Sequence, residues 1–256
     1  MALSHILIIA HRGASAYAPE NTLAAFDLAL QLGIRHLELD VHVTSDAHVV
    51  VIHDDTVDRT TDGSGPVASH TLVELQALDA GSWFGARFGG ERVPTLAEVL
   101  ARYQGQAHLH IEIKGRAEGL PQRTADLVRQ HGMVEHVTIT SFQKARLEEM
   151  RAYAPELPMG WLVGDVSDAI IAQARELGIT LLCPRANTVT PELMGFLHAK
   201  GFLVRAWGVA TEALMRQVVE AGADGMTVNF PDTLLAYVQS RTPQQPFPSL
   251  VVDENR

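Results

Sequence analysis

Cysteine is almost missing from this chain. Cys183 is the only one in 256 residues, so no intramolecular disulfide can staple the fold. It lies inside the apolar run Thr180–Pro184 and reads as a core thiol in a reducing compartment, not as a nucleophile. Positive charge is also scarce: 20 Lys and Arg stand against 30 Asp and Glu, a formal net charge of −10. That balance argues against nucleic acid and against stable association with anionic membranes, and suits a bound divalent cation better. No apolar stretch is long enough to span a bilayer. The start, MALSHILIIAHRGAS, lacks the positive region of an export signal and reads as the first strand of a cytoplasmic protein. No low-complexity tract occurs, and the turn after the first strand has no glycine-rich dinucleotide fingerprint.

What is present is a chain 46% hydrophobic, long enough to bury one substantial core. Short runs of branched aliphatics alternate with helical patterns, as in Thr95 to Tyr103, Pro121 to His131 and Glu212 to Ala221. Strands are predicted to begin at Ile6, His36, Leu109, Val137, Gly160, Thr180, Leu203 and Gly225. Eight strands separated by helices predict an α/β fold, a TIM (β/α)8 barrel with right-handed crossovers, over a single domain 1–256. An open doubly wound sheet is the runner-up. The segment from Asp54 to Arg92 is polar, rich in chain breakers and too long for a plain connection, which predicts a functional insertion or lid. The tail 242–256, rich in Pro and Gln, is expected to pack loosely.

The chemistry gathers where apolar runs stop. His11 and Arg12 end the first run; His53 ends the run Val49–Ile52, which also reads as a buried strand. In HLELDV, Glu38 and Asp40 alternate with Leu37, Leu39 and Val41, so both carboxylates share one strand face. Glu112 and Lys114 in HIEIKG repeat that spacing. In a barrel, the C-terminal strand ends converge on one rim, where active sites are built. Three carboxylates from two strands suit a hard cation, Mg²⁺ or Ca²⁺, better than zinc. Arg12 and Lys114 supply charge for a phosphoryl group, and His11 and His53 can serve as acid and base near neutral pH. Together they predict a metal-assisted site for a phosphate ester. His110 and His42 are candidates for supporting roles beside the carboxylate strands.

On these residues the sequence resembles the glycerophosphodiester phosphodiesterase family. The resemblance rests on His11-Arg12-Gly13 with Pro19-Glu20-Asn21-Thr22, on Glu38-Leu39-Asp40-Val41, and on His53-Asp54 followed by Asp58-Arg59-Thr60-Thr61 and Gly63. It continues through Glu112-Ile113-Lys114, Trp207, and Asp224-Gly225 to Pro231-Asp232, covering nearly the whole chain. It implies a TIM barrel with a small insertion after the second strand, about 54–92. It also implies hydrolysis of glycerophosphodiesters to sn-glycerol 3-phosphate and an alcohol. By position, Glu38, Asp40 and Glu112 look like the metal ligands, His11 and His53 like the acid/base pair, and Arg12 and Lys114 like phosphate contacts. Trp207 ends the seventh strand, where packing against glycerol at the rim and a plain core role both stay open, as do helix capping with site buttressing and ligand contact for Glu20 and Asn21. Two other readings stay open: a related barrel phospholipase acting on intact lipid, and a non-catalytic phosphate-binding barrel. The expected partner is a small-molecule diester, with monomer and homodimer both open.

Overall fold

The computed structural model describes residues 6–241, so the tail predicted to pack loosely lies outside the described residues. Eight parallel strands close into a barrel: β1 (Leu7–His11), β2 (His36–Val43), β4 (His108–Ile113), β5 (Val137–Ser141), β6 (Met159–Leu162), β7 (Leu181–Cys183), β8 (Leu203–Val209) and β9 (Gly225–Val228). β1 pairs with both β9 and β2, which completes the ring. The predicted strands all form, within a residue or two at their ends.

A ninth strand, β3 (Val49–Val51), pairs antiparallel with β2, Val41 against Val51 and Val43 against Val49. This corrects the expectation for His53, which was placed at the C-terminal end of a rim strand. The Val49–Ile52 run is buried, but it is a hairpin arm that turns back along β2. His53 thus enters the rim from the side, just after Ile52, whose N–H bonds Asp40 O at 3.1 Å.

Period-two alternation separates two environments. Leu37, Leu39 and Val41 on β2 and Leu109, Ile111 and Ile113 on β4 are fully buried in the main apolar core. Their alternate neighbours pair across the strands as His36 with His108, Glu38 with His110, and Asp40 with Glu112, a polar column inside the barrel. Helix α1 (Leu23–Gln31) starts at Thr22, whose hydroxyl accepts from Ala25 N, and buries Ala25, Phe26 and Ala29. Leu23 and Leu30 on the same helix are only partly covered by the core. Helix α3 (Leu96–Tyr103) opens with a capping box between Thr95 and Glu98.

Between β3 and α3, Val50, Ile52, Val57, Val67, Leu75, Ala80 and Val93 form a small apolar cluster of their own. It includes Leu75 of helix α2 (Leu72–Ala77), itself begun by a Thr71–Glu74 capping box. Within this segment Trp83 and Phe84 meet edge-on, and the Trp83 indole donates to Ala80 O, while Trp83 remains 41% exposed.

Candidate active site

The first turn of the site is set by backbone geometry. Arg12 and Asn21 have left-handed φ values of 55° and 58°, rare for residues with a Cβ and common where function holds strain in place. Gly13, at φ 83°, lets this turn lie directly on α1, since a Cβ there would fall 2.5 Å from the Ala25 carbonyl carbon. The result aims Arg12 N–H at Glu38 Oε2, 3.0 Å away. Because Thr22 does the capping, the Asn21 side chain is free to donate to Asp40 Oδ2 at 2.9 Å.

Glu38, Asp40 and Glu112 are buried, with one oxygen of each inside a 4.8 Å group. Three buried carboxylates this close repel one another unless a cation joins them. Burial, then Asp40, then Glu112, push the Glu38 carboxyl well above its ordinary range, and burial with Asp40 pushes Glu112 up to about 7. Burial also works against an ionised Asp40, but Arg12, His53 and Lys114 more than offset it and hold that carboxyl low. Asp40 Oδ1 is buried without a hydrogen-bond partner, an oxygen free to ligate. Lys114 Nζ lies 2.9 Å from Glu112 Oε1 and 3.8 Å from Asp40 Oδ1, and Arg12 Nε lies 3.2 Å from Asp40 Oδ2. The donor set fits one hard divalent ion.

The two histidines are held by different partners. His11 Nδ1 lies 2.6 Å from Asn229 Oδ1, which only accepts, so the proton sits on Nδ1 and the Nε2 lone pair is free, 4.0 Å from Glu38 Oε2. Burial and the Arg12 charge lower the His11 pKa to about 4. His53 Nδ1 instead donates to Asp54 Oδ1 at 2.5 Å. Arg59 grips that carboxylate and Glu20 together, and Glu20 in turn accepts from Arg12 at 2.8 Å. His42, flagged from sequence for a supporting role, lies with Nε2 3.1 Å from His53 O and fixes the backbone there.

His11, Arg12, Glu38, His53, Glu112, Lys114 and Trp207 line one cavity of about 260 Å³ at the barrel mouth. Trp207 donates its indole N–H to Val163 O, meets the Phe142 ring edge-on at 4.9 Å, and forms an apolar wall with Phe142 and Leu162. The structure therefore brings together all eight site residues read from sequence, Asp40 beneath the others. It adds Asp54, Asn229 and Arg205. Asp54 was only part of a quoted motif. Asn229 follows β9 directly, and the rule that strand ends carry the chemistry points to it. Arg205, buried on β8 and donating to His110 Nδ1, gives no sequence signal beyond a cation in an apolar run.

The family model for "Glycerophosphoryl diester phosphodiesterase family" matches residues 11–233, from the last residue of β1 to the first turn of the last helix. The chain belongs to the glycerophosphoryl diester phosphodiesterase family. A glycerophosphodiester phosphodiesterase of Caldanaerobacter subterraneus subsp. tengcongensis is 38% identical over 91% of this chain and 98% of its own length. An Oleispira antarctica phosphodiesterase, solved in complex with the product sn-glycerol-3-phosphate, has a TM-score of 0.83 at 32% identity, covering 90% of this chain and 96% of its own. A glycerophosphodiester phosphodiesterase from Agrobacterium tumefaciens superposes with a TM-score of 0.80 at 32% identity, over 90% of this chain and 99% of that one. As in the rest of the glycerophosphodiester phosphodiesterase family, the function to be explained is hydrolysis of a phosphodiester. No helix among the described residues is long and apolar enough to cross a membrane.

Proposed function

We propose that this glycerophosphodiester phosphodiesterase cleaves water-soluble glycerophosphodiesters to sn-glycerol 3-phosphate and an alcohol, with Glu38, Asp40 and Glu112 holding one Mg²⁺ or Ca²⁺ ion. The observation that carries the reading is the triad of buried carboxylates inside 4.8 Å, flanked by a histidine from each side. When bound, the cation neutralises charge on the phosphoryl oxygens and fixes the diester beside the histidines.

The chain's own groups divide the remaining work. Arg12 and Lys114 face the phosphoryl group as charge-assisted donors. Neutral His11, its Nε2 lone pair turned to the cavity and its other side tied to an uncharged amide, takes a proton from the attacking hydroxyl, whether of water or of the adjacent glycerol carbon. His53 carries the proton to the departing alcohol oxygen as the P–O bond breaks, with Asp54 stabilising its imidazolium. Trp207, Phe142 and Leu162 shield the carbon skeleton of one arm from water. The segment 54–92 supports the site as brace and cover, through Asp54 and Arg59.

A cavity of this volume suits a polar headgroup, which favours the soluble diester over intact lipid. Incubation with glycerophosphocholine, glycerophosphoethanolamine and intact phosphatidylcholine, with enzymatic detection of glycerol 3-phosphate, tests the reading. Release from the soluble diesters supports it. Turnover of the intact lipid alone, or of none of the three, overturns it.

A further inference from the structure

At the end of the barrel opposite the active site, three imidazoles meet. His36 of β2 lies opposite His108 of β4, and His110 follows one inward layer higher, level with Glu38 and one layer below Asp40 and Glu112. Inward layers of such barrels are usually filled by branched aliphatic side chains, so three adjoining imidazoles need a polar explanation. Their ring centroids lie 5.0 to 5.5 Å apart. One nitrogen of each falls inside a 4.8 Å group, and His36 Nδ1 is 3.3 Å from His110 Nε2. Two nitrogens on a tetrahedral ion, each about 2.0–2.1 Å from the metal, stand roughly 3.3–3.4 Å apart. The His36–His110 pair already spans that edge. His108 Nε2 bonds Thr138 Oγ1 at 2.8 Å, a side-chain contact that orients its ring.

We infer that His36, His108 and His110 form a second metal site, for a zinc-class transition ion. Three imidazoles with no carboxylate select such an ion over Mg²⁺ or Ca²⁺, so the two ends of the barrel take different metals. His36 and His108 are half-buried and His110 is buried, so the ion enters from the N-terminal face and keeps one position for water. Ligation has a defined cost. Arg205 can only donate, so in the metal-free chain His110 accepts at Nδ1 (3.1 Å) and carries its proton on Nε2, facing His36. Metal at Nε2 moves that proton to Nδ1, breaks the contact to His36 and requires Arg205 to release His110: two hydrogen bonds are given up for three coordinate bonds. The ion ties β2 to β4 and stabilises the barrel from its N-terminal end.

The test titrates the full chain with Zn²⁺ by calorimetry and melting, and with Co²⁺ by visible absorption. It compares wild type with Asp40→Asn, which damages the rim site, and with His36→Gln and His108→Gln, which damage only the floor. Wild type and Asp40→Asn should bind one Zn²⁺ and melt higher with it. Each histidine variant should bind it on the order of 10-fold or more weakly while keeping wild-type diester hydrolysis in Mg²⁺. Wild-type Co²⁺ should give the intense absorption of a four-coordinate nitrogen site, a readout that needs no variant. Zinc uptake abolished by Asp40→Asn but kept by both histidine variants, a weak octahedral Co²⁺ spectrum, or no uptake would each overturn the assignment.

Discussion

Glu20 and Arg59, 39 positions apart, form a two-pronged ion pair of 2.7 and 2.8 Å that ties the turn bearing Arg12 to the loop bearing His53. The same guanidinium holds Asp54 at 2.6 Å, so one side chain fixes the partners of both Arg12, the proposed phosphate contact, and His53, the proposed proton donor. With Asp54 pinned on both sides, the His53 ring has its Nε2 turned away from the brace.

Arg59→Met should therefore act through His53 more than through the metal. We expect kcat to fall on the order of 10- to 100-fold with cation affinity little changed. Steady-state kinetics beside a calorimetric metal titration check this. An unchanged kcat would remove the brace from the account.

Gly13 and Gly105 offer a matched pair. Both have positive φ, 83° and 70°, but a Cβ at Gly13 meets the Ala25 backbone at 2.5 Å, whereas nothing lies within 4 Å of one at Gly105. Gly105→Ala should cost about 1–2 kcal/mol of backbone strain, and Gly13→Ala distinctly more, because α1 must shift. Chemical denaturation of both variants decides it. Equal losses would mean that close packing of the first turn on α1 contributes nothing.

Cation binding should depend on pH in a defined sense. Burial and neighbouring carboxylates push Glu112 up to about 7 and Glu38 well above its ordinary value, so in acid the ion must displace protons to bind. Affinity should then rise as pH increases toward 7, by about tenfold per pH unit for each proton displaced, and flatten once both groups ionise. Calorimetry in buffers of different ionisation enthalpy counts the released protons. Flat affinity from pH 5.5 to 8 with no proton release would contradict it.

Much of this was legible because strands alternate with period two. Glu38 and Asp40, or Glu112 and Lys114, can be assigned to one face from spacing alone, and the apolar partners to the other. The direction in which His53 arrives was not legible, since Val49–Ile52 has the composition of a buried strand whether it joins the barrel or folds back on β2. Partners were harder still. Nothing local marks Asn229 as the acceptor for His11, 218 positions away, or Arg205 as the donor to His110, because these contacts exist only once the ring closes. The histidine floor was hidden for the same reason: His36, His108 and His110 look like scattered residues until β2 and β4 pair in register.

The proposed division between the two histidines predicts opposite responses to the leaving group. An aryl diester expels a phenolate that needs no proton, which bypasses the acid. His53→Ala should lose far less activity on a p-nitrophenyl diester than on glycerophosphocholine, whereas His11→Ala should lose similarly on both, about 10²–10⁴-fold. The reverse pattern would exchange the roles, and near-wild-type rates for either variant on glycerophosphocholine would remove that histidine from the chemistry.

The most direct test of the account measures glycerol 3-phosphate release from glycerophosphocholine as free Mg²⁺ or Ca²⁺ is varied, in wild type and in Asp40→Asn. The account predicts that chelator abolishes wild-type release and added cation restores it along a saturation curve, and that Asp40→Asn needs far more cation and turns over more slowly. Full activity in chelator, or a wild-type cation dependence in Asp40→Asn, would contradict a reaction built on the Glu38, Asp40 and Glu112 triad.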